Sequence, residues 1–288
     1  MRIILLLTIA SYTNLFSQSI SYNVISEYED TLSYLAHKIM HEENESLKLK
    51  ANDGFLSELK EVLKYKESYT YPFDSLKTIS ILSPKDKSFR VFSWILLQDN
   101  LEYQYFGIII IPGKKEDDYN RLVILEDKSN EILDPENQIL NENRWYGALY
   151  YDIISIKKKK YYTLLAWDGN NSKSKKKIIE ILQIKDNEVI FGKKIFKNKD
   201  EIKSRIILEY NINTSMSLRF DPQDNSIIFD NLTSLAEGNQ NQFLIQDGSF
   251  NRYKNTNGKW IFEEDIDIRI KESLPKKTKK RDMGLFNK

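Results

Sequence analysis

Side chains suited to chemistry are few in this chain: it has 2 histidines, no cysteine, and carboxylates scattered among apolar runs. His37 and His41 stand four residues apart, a spacing that on a helix turns both imidazoles to one side and suits a transition metal, with Glu42 and Glu43 adjacent. The residues between them are Lys38, Ile39 and Met40, so the glutamate that acts as general base in His-Glu-x-x-His proteases is missing. The expectation is two partly exposed helical histidines and no metal. With no cysteine and no further histidine, a nucleophilic triad has no base to draw on. The run Asp168-Gly169-Asn170-Asn171-Ser172-Lys173-Ser174 spaces oxygen-bearing side chains like the start of a calcium loop. The match then fails: Ile179 stands where a bidentate glutamate belongs, Lys173 replaces the central glycine, and Lys175, Lys176 and Lys177 repel a cation. A polar turn is expected instead, with Gly169 and Asn170 able to take positive φ.

Six carboxylates, Asp152, Asp168, Glu180, Glu209, Asp230 and Asp247, fall in or beside expected strands. A pair of them roughly 5–9 Å apart would meet the geometry of glycoside hydrolysis, although acids at strand ends more commonly shape turns. Aromatic residues are plentiful, with Tyr 17, Phe 14 and Trp 4. Their faces stack on sugar rings or line peptide grooves, which makes Trp145, Tyr146, Trp167 and the adjoining Asp168 the candidate binding residues. The competing account is cross-strand aromatic pairing that needs no ligand. Lysine clusters at 157–160, 173–177 and 276–281 offer contacts to phosphate-bearing lipids or polysaccharide, but the first two read as solvated hairpin tips that discourage edge-to-edge pairing.

These residues need a scaffold, and composition bounds it. With Lys+Arg 43 against Asp+Glu 42, 41% hydrophobic residues and a mean hydropathy of −0.52, the chain reads as a foldable globular protein. Neither a polytopic membrane protein nor a general nucleic-acid coat fits this balance. Residues 1–19 read as a secretory signal, with Arg2 as the charged start, an apolar run from Ile3 to Ala10, and Ser17-Gln18-Ser19 as the cleavage site. Cleavage before Ile20 removes Arg2 and leaves a mature chain of zero formal charge, without a transmembrane anchor and, lacking cysteine, without a lipid-acceptor residue or disulfides.

A helical segment comes next, at 20–72. Ser26 and Glu29 have capping-box spacing, and Tyr28, Leu32, Leu35 and Ile39 recur on one helical face. Phe55, Leu56, Leu59, Val62 and Leu63 form a second stripe after Asp53, so residues 26–67 predict a helical hairpin that packs on a β domain. From 73 to 270 the apolar period shortens to two, and about thirteen strands are expected: 78–82, 89–97, 102–111, 122–126, 147–156, 161–167, 178–184, 189–196, 205–210, 216–220, 226–230, 242–245 and 259–262. The class is α+β: a helical hairpin and then a mainly antiparallel β meander, arranged as a sandwich or large curled sheet. A propeller fits less well, because about four strands per blade leave only about three blades. The basic segment 271–288 lacks the apolar content to join a core.

Several stretches resemble a family of exported Bacteroidetes proteins that carries no assigned activity. They are Phe89-Arg90-Val91-Phe92-Ser93-Trp94, Trp145-Tyr146-Gly147-Ala148-Leu149-Tyr150-Tyr151, the run from Tyr161 through Trp167 to Asn171, Ile227-Ile228-Phe229-Asp230-Asn231-Leu232, and Asp247-Gly248-Ser249-Phe250. The resemblance implies an exported bacterial protein and transfers no catalytic residue. The sequence thus leads to a non-enzymatic exported protein in the periplasm, at the outer membrane or outside the cell. It would use no cofactor and would bind an envelope protein or polysaccharide, not nucleic acid. The alternative is a metal-independent glycan hydrolase working through paired carboxylates.

Overall fold

Two helices of 20 residues each, α1 (Tyr22–His41) and α2 (Glu45–Lys64), form the expected hairpin in the computed structural model, which describes residues 22–114, 119–185, 188–234 and 244–267. Residues 1–19, expected to be a secretory signal, and the basic segment 271–288 lie outside the described residues. Ser26 does not cap α1, because the helix already runs from Tyr22 and seats Ile25 in the core. Glu29 turns inward, where its carboxylate accepts hydrogen bonds from the Tyr71 hydroxyl at 2.7 Å and the Ser75 amide at 2.6 Å. The second helix begins well before Asp53, because the Asn44 side chain accepts from the Leu47 amide at 3.1 Å and caps the helix there. No helix among the described residues is long and apolar enough to cross a membrane.

The strands, in chain order, are β1 (Ser80–Leu82), β2 (Arg90–Leu97), β3 (Tyr103–Ile111), β4 (Arg121–Leu125), β5 (Leu140–Asn141), β6 (Leu149–Ser155), β7 (Tyr162–Asp168), β8 (Ser174–Lys185), β9 (Glu188–Phe191), β10 (Phe196–Asn198), β11 (Glu201–Lys203), β12 (Ile206–Asn211), β13 (Leu218–Asp221), β14 (Ser226–Ser234), β15 (Leu244–Thr256) and β16 (Lys259–Glu263). They build three sheets. The first runs β1-β2-β3-β4, the middle one β5-β9-β8-β7-β6, and the third β11-β10-β16-β15-β14-β13. The strand β12 joins the middle sheet by pairing with the first half of β8. Pairing is antiparallel throughout except between β10 and β16. None of the three closes into a barrel, and the expected α+β class, a helical pair followed by mainly antiparallel strands, holds.

Alternation along the strands explains the stacking. Ile25, Leu32, Phe55 and Leu59 of the helices pack on Phe92, Trp94, Ile108 and Ile110 from one face of the first sheet. The other face sends Val91, Tyr105 and Ile109 against Leu164, Ala166, Ile178 and Leu182 of the middle sheet. Intervening residues Leu165, Ile179 and Ile181 point the opposite way, onto Leu218, Ile227, Phe229 and Trp260 of the third sheet. The order is helices, sheet, sheet, sheet, with the middle sheet covered on both faces.

Differences from the expected strands have local causes. The segment 189–196 splits into β9 and β10 because Gly192 takes φ +91, and its amide bonds the Ile181 carbonyl at 2.7 Å. The strand expected at 178–184 starts at Ser174, so Lys175, Lys176 and Lys177 belong to a ladder and not to a hairpin tip. The cluster at 157–160 is such a tip, exposed throughout, with Lys158 at φ 62. The strand expected at 242–245 is the start of the much longer β15; Gln242 and Phe243 fall outside the described residues. The turn at Asn257 and Gly258 has φ 54 and φ 86, the left-handed pair that a tight hairpin needs.

Candidate functional site

One face of the β8–β12 pair carries three kinds of cross-strand partner in succession. Ile207 sits opposite Ile178 and Glu209 opposite Lys176. Arg205, one residue before β12, forms an ion pair with Glu180, and both side chains are buried from solvent. Arg205 Nη1 also donates to the Pro135 carbonyl, while Glu180 accepts from the Ile181 amide at 2.9 Å. Burial pushes the Glu180 carboxyl up despite the opposing charge of Arg205. Lys176 Nζ donates to the Tyr146 hydroxyl at 3.2 Å and lies 3.4 Å from Asp168 Oδ2. Burial opposes the ammonium, but Asp168 and Tyr146 outweigh it and hold its pKa above the ordinary lysine value. Burial also raises the Tyr146 phenol.

Of these groups, Tyr146, Lys176 and Ile207 form the floor of an open cleft of about 600 Å³, whose rim is Leu133, Asp134, Glu136 and Glu209. The loop that brings Leu133 to Glu136 is pinned to the start of β12, since Ser204 and Arg205 donate their amides to the Glu136 carbonyl at 2.7 and 3.2 Å. The Glu136 carboxylate accepts from the Ile207 amide at 3.1 Å and from Lys203 Nζ at 2.6 Å. On the opposite face of β12 a second cleft of about 280 Å³ opens between Leu208 and the third sheet, where Met216, Phe229 and Tyr253 supply apolar walls and Asp230 and Asn251 polar atoms.

Of the four candidate binding residues, only Tyr146 lines the first cleft. Trp145 is 0% exposed and donates its indole N–H to the Tyr150 hydroxyl at 2.7 Å, so its bulk fills the core and presents no face to a ligand. Trp167 is half-buried and meets Tyr103 edge-on with ring centroids 5.5 Å apart. Asp168 lies buried beside Lys176 and accepts from the Tyr105 hydroxyl and the Asn170 amide, each at 2.7 Å. That second bond makes the expected polar turn, and Asn170 takes the positive φ of 52. Gly169 is needed for space instead, since a Cβ there would collide with the Tyr103 ring.

The six carboxylates separate. Asp168, Glu180 and Glu209 share the face just described. Asp152 sits at a bulge in β6, whereas Asp230 and Asp247 belong to the third sheet and accept from the Ser217 and Ser249 amides at 2.7 and 2.9 Å. His37 and His41 are exposed on α1 with rings 4.4 Å apart, and no group of three or more metal-ligating side chains occurs among the described residues. Sequence reasoning did not single out Arg205, Glu136 or Tyr105, and took Lys176 only as one of a basic cluster at a solvated hairpin tip. A signal did exist for one pair: Glu180 interrupts the run Ile178-Ile179-Glu180-Ile181-Leu182, and Arg205 opens Arg205-Ile206-Ile207-Leu208. Single charges of opposite sign in two apolar strands call for each other. Comparisons of the chain with protein-family models, with curated proteins and with solved structures find no match.

Proposed function

We propose that the chain is an exported, non-enzymatic binding protein that takes a partner protein or an envelope polymer at the cleft over Tyr146. One observation carries this reading: the carboxylates that line the cleft or share its face of the β8–β12 pair are already engaged by the protein itself. Glu180 is held by Arg205, Asp168 by Tyr105 and Asn170, Glu136 by Lys203 and the Ile207 amide, Glu209 by the Ser174 hydroxyl, and Asp134 by the Asn137 amide group at 3.1 Å. A hydrolytic pair needs one acid kept protonated and a second free to receive a proton or attack. The cleft is also open, which suits an extended occupant more than a sequestered reacting bond. Export and placement in the periplasm, at the outer membrane or outside the cell rest on the sequence of residues 1–19. The test is incubation of the full mature chain with fractionated envelope polysaccharide and envelope proteins. Retention without new reducing ends is expected, and weaker retention in Lys176→Met. Release of reducing ends that disappears in Glu209→Gln would establish the hydrolase in its place.

A further inference from the structure

The outer edge of β12 has the features of a strand-addition site. Among the described residues β12 pairs with β8 on one side only. Residues along an antiparallel strand turn their amide and carbonyl alternately to either side. The Ile207 amide points away from β8, because it meets the Glu136 carboxylate at 3.1 Å. By the same alternation the Ile207 carbonyl and both backbone groups of Glu209 face outward, and no strand among the described residues pairs with them there. Glu209 is itself exposed. An edge this short, with a charged side chain on it, is protected against indiscriminate pairing yet remains open to a selected partner.

The two clefts give that edge a means of selection. They lie on opposite faces of β12, one over Tyr146 and Lys176, the other against Met216 and Phe229. Side chains of an added strand alternate between the same two faces, so successive residues would enter different clefts. The first is acidic in balance: Asp134, Glu136, Glu209 and the underlying Asp168 stand against Lys176 and Lys203. Leu133, 94% exposed on its rim, offers an apolar surface for the stem of a long basic side chain. The second cleft is mainly apolar at its walls. Glu136 occupies the first outward amide in place of a strand carbonyl.

We propose that β12 receives an extended peptide segment of a partner protein as an added strand, with basic side chains over Tyr146 and apolar side chains over Met216. This rests on the reading of the chain as a binding protein and names the class of partner. The probes are fluorescent nine-residue peptides of alternating lysine and valine, the same peptide with glutamate for lysine, and two lysine–valine peptides N-methylated at alternate amides along one edge or the other. Anisotropy with the full mature chain should show binding of the lysine–valine peptide, at least about tenfold weaker binding of the glutamate peptide, and loss of binding for one methylated edge but not the other. Glu209→Pro removes only an outward amide from the backbone and should weaken binding about tenfold, more than Glu209→Gln. Should the proline variant fail to fold, the methylated peptides decide the matter with the wild-type chain. Equal binding of all four peptides, or of none, would overturn the proposal. If the peptides fail while envelope polymer is still retained, the strand-addition site falls and the binding reading stands; if neither is retained, both fall.

Discussion

Glu180 and Arg205 confront each other across the β8–β12 pair, buried from solvent, and Arg205 is also tied to the backbone of the 133–136 loop. Glu180 accepts from the Ile181 amide and Arg205 donates to the Pro135 carbonyl. Removing one partner leaves a lone charge in an apolar layer. Arg205→Met should therefore cost about 3–5 kcal/mol in urea denaturation, and adding Glu180→Leu should restore much of the loss. A double variant no more stable than the single one would show that the pair also fixes the 133–136 loop.

The helical layer is expected to unfold with the sheets. Asn52 accepts from the Trp94 indole at 2.8 Å and Phe55 meets the same ring at 5.0 Å, both from α2 onto β2. Leu59, 0% exposed, lies in that interface. Leu59→Asp should destabilise the protein by several kcal/mol, seen as one lowered transition by circular dichroism. Two separated transitions would mean that the helices melt independently.

Around the Asp168 turn, Trp167→Ala should cost about 2 kcal/mol, below the roughly 3–5 kcal/mol of a fully enclosed tryptophan, because Trp167 is only half-buried. Asp168→Asn keeps an acceptor for Tyr105 and Asn170 but sets a neutral amide beside the Lys176 ammonium. About 1–2 kcal/mol should be lost, visible as a lower melting temperature at neutral pH.

Asp152 supplies a pH test. Burial raises its carboxyl pKa above the ordinary value of 3.8, against weaker opposition from the Ile153 amide and Lys85. Between the unfolded and folded pKa values the folded state binds more protons, so this group's contribution to stability falls as pH rises through that window. Asp152→Asn should be more stable than the wild type at pH 7 and similar to it below the unfolded pKa. Chemical denaturation at the two pH values measures the difference.

Much of the fold was legible because burial imposes periodicity. The apolar stripes of α1 and α2 and the alternation in β2, β3, β7 and β12 all pointed to the elements they form. Helix starts were less legible: Ser26 had the right neighbours for a cap, but Ile25 had a core to fill and drew the helix past it. The lysines of β8 misled for a related reason. Three consecutive lysines read as a solvated tip, yet Lys176 is held by Asp168 and Tyr146, Lys177 lies 4.6 Å above the Tyr151 ring, and Lys175 reaches the Ile212 carbonyl at 3.0 Å. The cleft joins the 133–136 loop to β8 and β12, segments distant in sequence, so no local pattern could announce it.

Coverage of the middle sheet on both faces has a consequence for how the molecule opens. Amides of Leu164, Leu165 and Ala166 in β7, and of Ile179 and Ile181 in β8, lie in a sheet covered on both faces and are shielded from water until a neighbouring layer comes away. Hydrogen exchange there should report whole-molecule unfolding, whereas amides of α1 and of the short β11 exchange through smaller openings. The innermost layer thus sets the slowest clock in the protein, and the outer layers can breathe without disturbing it.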